Sequence, residues 1–308
     1  MKPTVYKPNP RGALSRRSNL VPVVAGAFVA LGVAGTALFA AHYEASAAAA
    51  TPAHVLNVVA RDYAFDVASD TVPAGRTLVR LKNAGTEMHH VILLKLDGGH
   101  HLNDLFEAMK AGGPAAKPPA WVHEVGGPNA PVPGGISEGA VTLEPGTYAM
   151  LCFIPSKDGT PHVMKGMAKE LTVTAVSRAS ASKAALVELR EPDATMTLDD
   201  FSFTLDKPLA AGRRVLRVRN AAAQAHEVFI LQLAPGKTIQ DVLAWSEKMD
   251  GPPPGMPFGG TTGIPQNGSN DVLLDLKAGN YALLCFYPDA KDGKEHVKHG
   301  MFKQIAVK

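Results

Sequence analysis

The chain has 308 residues, with 31 basic and 28 acidic side chains and a formal net charge of +3 at pH 7. This length predicts two domains or one large domain, and so mild a charge, with only 6% aromatic residues, excludes nucleic acid as a partner. Glycine and proline are plentiful, at 29 and 24 residues, which is typical of a fold with many turns between short strands.

The first 50 residues have the order of an export signal. A basic start is followed by an uncharged apolar stretch at 21–41, and then by small residues that offer A-x-A cleavage positions. Residues 15–20 resemble the twin-arginine motif, although an Asn stands where that motif prefers Phe. An apolar stretch of this length can also span a bilayer. We therefore expect residues 1–50 to be an export signal, of the twin-arginine type on this resemblance, or a membrane anchor through 21–41. Either reading predicts a periplasmic or extracellular protein.

The rest of the chain is an internal repeat, with one copy at 54–176 and a second at 186–308. The corresponding residues of the first and second copies are Asp62 and Asp200, Tyr63 and Phe201, Asn83 and Asn220, His89 and His226, Cys152 and Cys285, His162 and His296, and Met167 and Met301. Residues 174–185 between the copies are rich in Ser and Ala, which predicts a linker. We expect two tandem domains of one fold after the N-terminal segment.

The two copies share a pattern of predicted elements. Runs of Val, Leu, Ile, Phe and Tyr are short and bounded by Gly, Pro, Asn and Asp, which predicts an antiparallel β-sandwich. One segment in each copy breaks this pattern, because apolar residues fall at helical spacing in 102–110 and 239–249. Thr238, with Asp241 three residues later, has the form of a capped helix start. We expect an all-β fold with a short helix inserted between the first His and the Cys of each copy.

The chemically distinctive residues that recur are His, Cys, His and Met, in that order. The eight candidate metal ligands are His89, Cys152, His162 and Met167 in the first copy and His226, Cys285, His296 and Met301 in the second. One thiolate, two imidazoles and a weak thioether are the ligands of a blue-copper electron-transfer site, whereas Met is a poor ligand for zinc. The alternatives for the two cysteines are buried, inert thiols or a disulfide between them.

The sequence around these residues resembles the cupredoxin family, most closely the plastocyanin-like proteins. The shared pattern is Y-x3-C-x-x-P, then His, then x3-G-M, and it occurs here as Tyr148, Cys152, Pro155, His162, Gly166 and Met167 and as Tyr281, Cys285, Pro288, His296, Gly300 and Met301. The resemblance covers nearly all of both copies and implies two Greek-key cupredoxin-like sandwiches. It also implies that Cys and both His surround copper, that Met is axial, and that the second His is the exposed exit for the electron.

Two features depart from the cupredoxin pattern. Nine and ten residues separate the Cys from the second His, far more than is usual in the family, so we expect residues 156–161 to fold outward as a hairpin with a turn at Asp158 and Gly159. In addition, His90 and Glu227 stand where the family often has an Asn that ties the ligand loops together.

The predicted function is binding of up to two coppers, one per copy, and single-electron transfer with a redox partner protein. The alternatives are copper storage or delivery outside the cytoplasm, with a copper donor as partner, or a structural module without a redox role. Two-domain multicopper oxidases and nitrite reductases form a third class, but they need H-x-H or H-C-H motifs for a catalytic copper. Because Leu and Phe flank Cys152 and Cys285, we expect that the protein is not an enzyme.

Overall fold

The computed structural model describes residues 50–112, 118–175, 186–247 and 251–308. Residues 1–49 of the predicted export signal or anchor, and all but the first two residues of the predicted linker, lie outside these ranges. Within them, no helix has both the length and the apolar character needed to cross a membrane.

The first repeat is a sandwich of two β-sheets with one helix. Its elements are β1 (Thr51–Arg61), β2 (Ala64–Val67), β3 (Thr71–Pro73), β4 (Gly75–Asn83), β5 (Ile92–Leu96), α1 (Leu102–Gly112), β6 (Val122–Gly126), β7 (Ile136–Leu143), β8 (Gly146–Leu151) and β9 (Ala168–Thr174). Strands β2, β1, β4 and β7 form one sheet, and β3, β9, β8, β5 and β6 form the other, in those orders.

The second repeat is built in the same way. Its elements are β10 (Leu186–Leu189), β11 (Ala194–Asp199), β12 (Ser202–Leu205), β13 (Gly212–Asn220), β14 (His226–Leu233), α2 (Ile239–Ser246), β15 (Gly255–Ile264), β16 (Ser269–Leu276), β17 (Gly279–Leu284) and β18 (Phe302–Val307). Strands β12, β11, β13 and β16 form one sheet, and β15, β14, β17 and β18 form the other. The predicted all-β sandwich fold is confirmed.

The strands follow the two-residue period of the sequence. In β4, Val79 and Leu81 are fully buried in the core of the first sandwich, while Lys82 is exposed. The sequence pattern predicted an antiparallel sandwich, but two strand pairs of the large sheet are parallel. Strand β4 runs parallel to β1, and β13 runs parallel to β11, because in each repeat the chain turns back through a short hairpin strand before it returns to the same sheet.

The predicted helices lie where the repeat pattern placed them, between β5 and β6 and between β14 and β15. At the start of α2, the Thr238 hydroxyl accepts the N–H of Asp241, and the Asp241 carboxylate accepts the N–H of Thr238 at 2.8 Å, which is the predicted capping box. Helix α1 buries Leu105 in a cluster that includes Leu151 and Val163. Helix α2 buries Ile239 and Val242 in a corresponding cluster with Leu284. Each helix therefore covers the outer face of the sheet from which the Cys-containing loop leaves.

Strands of the two repeats pair with each other. Strand β7 pairs with β16, with Gly139 opposite Val272, so that one nine-stranded sheet runs through both repeats. Strand β10, which opens the second repeat, pairs with β1 of the first. The Asp271 carboxylate, which is 4% exposed, accepts hydrogen bonds from Arg76 of the first repeat and Arg217 of the second. The domain boundaries proposed from the repeat stay a prediction.

Candidate metal centres

A hairpin returns the second His of the first repeat to the end of β8. Pro155 and Pro161 face each other as an antiparallel bridge, and Gly159 takes the left-handed conformation (φ 80°) at the turn. The N–H of His162 then donates to the carbonyl of Ile154 at 2.9 Å. The outward hairpin predicted for residues 156–161 is therefore confirmed, and the long spacing does not separate the His from Cys152.

A single turn of 3-10 helix then brings Met next to Cys. It spans His162–Lys165 and ends at Gly166, which has φ 100°. The N–H of Met167 donates to the carbonyl of His162 at 3.0 Å, and the N–H of Cys152 donates to the carbonyl of Met167 at 3.3 Å. The second repeat has the same turn at His296–His299. Backbone hydrogen bonding thus places the loop ligands side by side in both repeats.

The first centre brings together the two His and the Cys that were predicted as ligands in the first repeat. His89 Nδ1 lies 3.1 Å from His162 Nδ1, which lies 3.4 Å from Cys152 Sγ. Met167 packs in the same core cluster as Cys152, and all four residues are fully buried. These donor types fit copper and would hold it without water among the ligands.

The second centre repeats this arrangement with slightly longer distances. Cys285 Sγ lies 3.4 Å from His296 Nδ1 and 3.9 Å from His226 Nδ1. Met301 is fully buried in the core cluster that also contains Cys285. The His and Cys residues predicted as ligands therefore fall into two groups, one in each repeat, and each Met lies in the core cluster of its Cys.

Burial disfavours the charged form of five of the six His and Cys donors. Burial raises the pKa of the Cys152 thiol to about 12 and that of Cys285 well above its ordinary value. Burial also lowers the pKa of His89 and His226, and that of His296 to about 4. Both cysteines are free, so the disulfide alternative is wrong. A metal that binds at either centre would displace the proton of the thiol.

An Asp at the start of each repeat orients the first His. Asp62 Oδ1 lies 2.9 Å from His89 Nε2, and Asp200 Oδ1 lies 3.1 Å from His226 Nε2. In the first centre, Glu87 Oε2 also lies 2.8 Å from His162 Nε2. When each Nε2 donates its hydrogen to a carboxylate, the Nδ1 lone pairs of both His rings face each other beside the thiol. Such an arrangement favours a cation between them.

Aromatic residues cover the second His in both centres, a role that sequence reasoning missed. Tyr63 packs edge-on against His162 with ring centroids 5.2 Å apart, and Phe201 packs against His296 at 5.3 Å. Both have left-handed backbones, at φ 69° and 61°, which is rare for aromatic residues and is typical of functional sites. The signal was in the sequence, as the repeated Asp-aromatic-x-Phe motif.

The family resemblance implied that the second His is exposed, and the aromatic cover shows that it is not. His162 and His296 are 0% exposed, so neither ring is an open exit for the electron. Tyr63 and Glu87 shield the first of these rings, and Phe201 shields the second.

The residues after the first His tie the ligand loops together, although neither is Asn. His90 Nε2 accepts the N–H of Phe153 at 2.9 Å, and Glu227 Oε1 accepts the N–H of Phe286 at 3.1 Å. The N–H of Glu227 also donates to Cys285 Sγ at 3.4 Å. Burial lowers the pKa of His90 to about 3 and raises that of Glu227 to about 7. Both substitutions therefore keep the link between the two loops.

Comparison with known proteins gives matches at the level of structure. No protein-family model matches the sequence, and no curated protein matches it. The chain is similar to reduced auracyanin from the photosynthetic bacterium Roseiflexus castenholzii, with 25% identity over 40% of this chain and 98% of the auracyanin and a TM-score of 0.30. It is also similar to a multicopper oxidase (13% identity, 82% of this chain and 88% of the oxidase, TM-score 0.23). A copper-containing nitrite reductase from Thermus scotoductus matches with 11% identity over 82% of this chain and 61% of the reductase, with a TM-score of 0.21.

The matches over 82% of the chain contradict the prediction that the protein is not an enzyme, because multicopper oxidases and nitrite reductases are enzymes. That prediction rested on the residues that flank Cys152 and Cys285. The absence of an H-C-H motif at a cysteine excludes only one way of building a further metal site. A fold can also bring metal ligands together from separate loops.

The sheets and the residue groups agree with the resemblance that the sequence showed. Each repeat is a β-sandwich with a His, a Cys, a second His and a Met at one end of its core. Copper is the metal that these donors fit. The chain is thus built of cupredoxin-like β-sandwiches, and its His, Cys, His and Met residues fit a cupredoxin copper site.

Proposed function

We propose that the protein binds one copper in each repeat and transfers single electrons through these centres. The observation that carries the proposal is the convergence of two Nδ1 atoms and one thiol sulfur, all buried, at the same place in both repeats. The donor set supports both oxidation states, because sulfur suits Cu(I) and imidazole suits Cu(II).

The residues around each centre favour rapid electron exchange. In such a centre copper supplies the one-electron couple. Asp62 and Asp200 hold the first His ring, and the hydrogen bonds of His90 and Glu227 hold the loop that follows Cys. Fixed ligands and the exclusion of water keep the rearrangement between the two oxidation states small. These features support electron transfer over storage, for which release of the metal would be needed.

The location and the partner are part of this proposal. The order of residues 1–50 supports export to the periplasm or the cell exterior, with or without a retained anchor. A second redox protein is then the partner that would give or take the electron.

The test is copper loading of the purified protein, followed by metal analysis and visible absorption spectroscopy. We expect two coppers per chain and an intense thiolate-to-copper band at the red end of the visible spectrum. Cys152→Ser and Cys285→Ser should each remove part of the band, and the double variant should remove it completely. Met164→Leu changes an exposed methionine in the ligand loop and should leave the band unchanged.

Other outcomes would favour other functions. Bound copper without the band would contradict electron transfer and favour storage or delivery. Turnover of nitrite, or of a reducing substrate with dioxygen, by the copper-loaded protein would show an enzyme in place of a carrier. Absence of bound copper would contradict the proposal entirely.

A further inference from the structure

A second group of metal-binding residues lies on the ligand loop of the second repeat. Asp289, Asp292 and His299 place one carboxylate or imidazole atom each within 4.8 Å of the others. His299 Nε2 lies 3.2 Å from Asp292 Oδ1. Asp289 is buried, whereas the side chains of Asp292 and His299 are 35% and 28% exposed, so a cation could reach the group from solvent.

A buried nitrogen without a partner lies beside Asp289 of this group. His296 is 0% exposed, and its Nε2 makes no hydrogen bond within the described part of the chain. The nearest carboxylate oxygen is Asp289 Oδ2, at 3.9 Å. A buried polar atom without a hydrogen bond is costly, which indicates that this nitrogen binds something further.

In the first repeat, the residues at the corresponding positions form hydrogen bonds or ion pairs with one another or with the second His. Lys165 stands where the second repeat has His299, and its Nζ lies 2.7 Å from Asp158 Oδ2. Glu87 lies at the position of Gln224 and bonds the Nε2 of the second His. In the second repeat, the Gln224 amide instead donates to Asp289 Oδ2 at 3.1 Å. The unpartnered nitrogen, the added carboxylate and the added imidazole therefore occur together in the second repeat.

We propose that Asp289, Asp292 and His299 bind a divalent transition-metal ion such as Zn²⁺, with His296 Nε2 as the fourth ligand. Two imidazole nitrogens and two carboxylate oxygens suit Zn²⁺, whereas Mg²⁺ and Ca²⁺ prefer oxygen alone. His296 would then bind copper through Nδ1 and the second cation through Nε2, and the ring would lose its remaining proton to solvent. The inference rests on the proposed function only in that His296 is shared between the two metals.

The experiment is titration of Zn²⁺ into the copper-loaded full chain, with copper and zinc measured after removal of unbound metal. We expect one zinc per chain beyond two retained coppers. In the Cys152→Ser variant, where only the second centre has its thiolate, zinc should shift the visible band because the shared ring changes. His299→Lys places the residue of the first repeat at this position and should abolish zinc binding while copper is retained. Asp292→Asn should act in the same direction.

The control is His101→Gln, which removes an exposed histidine that also faces a carboxylate, Glu170 at 2.9 Å. It should leave the zinc content unchanged. The proposal is overturned if no zinc binds beyond the coppers, or if zinc binding survives both His299→Lys and Asp292→Asn.

A failure of the copper proposal can be told apart from a failure of this one. If the protein binds no copper, zinc is titrated into the Cys152→Ser/Cys285→Ser double variant with and without His299→Lys. Zinc binding that depends on His299 would still support the second site, and zinc binding that does not depend on it would overturn the site.

Discussion

In each repeat, an Asp carboxylate beside Nε2 of the first His leaves Nδ1 of that ring free to bind copper. Asp200 makes this contact in the second centre, at 3.1 Å from His226 Nε2. Removal of such an orienting group typically weakens metal affinity by about 10–100-fold. We expect Asp200→Ala to weaken copper binding at the second centre to this extent in a chelator competition titration. Asp275→Ala, an exposed carboxylate on β16, should have no such effect, and equal affinities in the two variants would contradict this role.

The two centres differ in the partner of the second His. Glu87 bonds His162 Nε2 in the first centre, and Gln224 at the same position makes no such contact. An anionic acceptor makes imidazole a stronger donor and stabilises Cu(II) relative to Cu(I). Glu87→Gln should therefore raise the reduction potential of the first centre, measured by redox titration in the Cys285→Ser variant. Glu144→Gln removes the same charge from an exposed site of this repeat and should leave the potential unchanged. A lower potential in Glu87→Gln would contradict the assignment.

The buried thiols make copper binding depend on pH. Burial raises the pKa of Cys152 to about 12, so the thiol keeps its proton at neutral pH and copper must displace it. Copper affinity should therefore rise as the pH rises and fall as the pH falls. Loading at pH 7 in weak buffer should release one proton per thiol, and Cys152→Ser should reduce the release by one. Equal proton release by the variant and the parent protein would show that Cys152 does not bind the metal.

At the scale of elements, the inserted helices support the ligand loops. Leu105 of α1 is 3% exposed and packs in one cluster with Leu151, which precedes Cys152, and Val163, which follows His162. Truncation of a buried Leu to Ala typically costs about 2–5 kcal/mol. Leu105→Ala should lower the free energy of unfolding by this amount in urea denaturation. Met164→Ala, at a 63% exposed site, should cost little, and similar losses in both variants would rule out a supporting role for α1.

The elements show what the sequence could and could not predict. The capped start of α2 and the hairpin before His162 depend on local spacing and turn residues, so they could be predicted. The convergence of the His and Cys donors could be predicted because the same residues recur in the same order in both repeats. The cover of His162 by Tyr63 could not, because the two residues are far apart in the chain and meet only through the left-handed turn at Tyr63. The burial of the second His was missed for the same reason.

In the whole molecule, the two repeats share one nine-stranded sheet, which could not be predicted from the sequence of either repeat alone. Strand β7 pairs with β16 because both strands lie at the edges of their sandwiches. The repeat pattern in the sequence does not indicate which edge strands meet. Asp271 strengthens this junction, since it is almost fully buried and accepts hydrogen bonds from Arg76 and Arg217. The junction holds the two centres in one compact unit.

Loss of the Asp271 charge should lower the stability of the junction between the repeats and should affect copper binding less. Hydrogen bonds to charged groups contribute about 1.5–3 kcal/mol each, so Asp271→Asn should lower the free energy of unfolding by a few kcal/mol. The measurement is thermal or urea unfolding of the metal-free protein, with copper content as a separate readout. Asp66→Asn, in an exposed pair with Arg61, is the control and should change stability little. Unchanged stability in Asp271→Asn would contradict a role at the junction.

We propose that both repeats hold copper between two His nitrogens and one Cys sulfur. The most direct test is a crystal of the copper-loaded protein with anomalous diffraction recorded at the copper edge. We predict two peaks per chain, one beside Cys152, His89 and His162 and one beside Cys285, His226 and His296. Peaks elsewhere, or no peak at either group, would show that these residues do not bind copper.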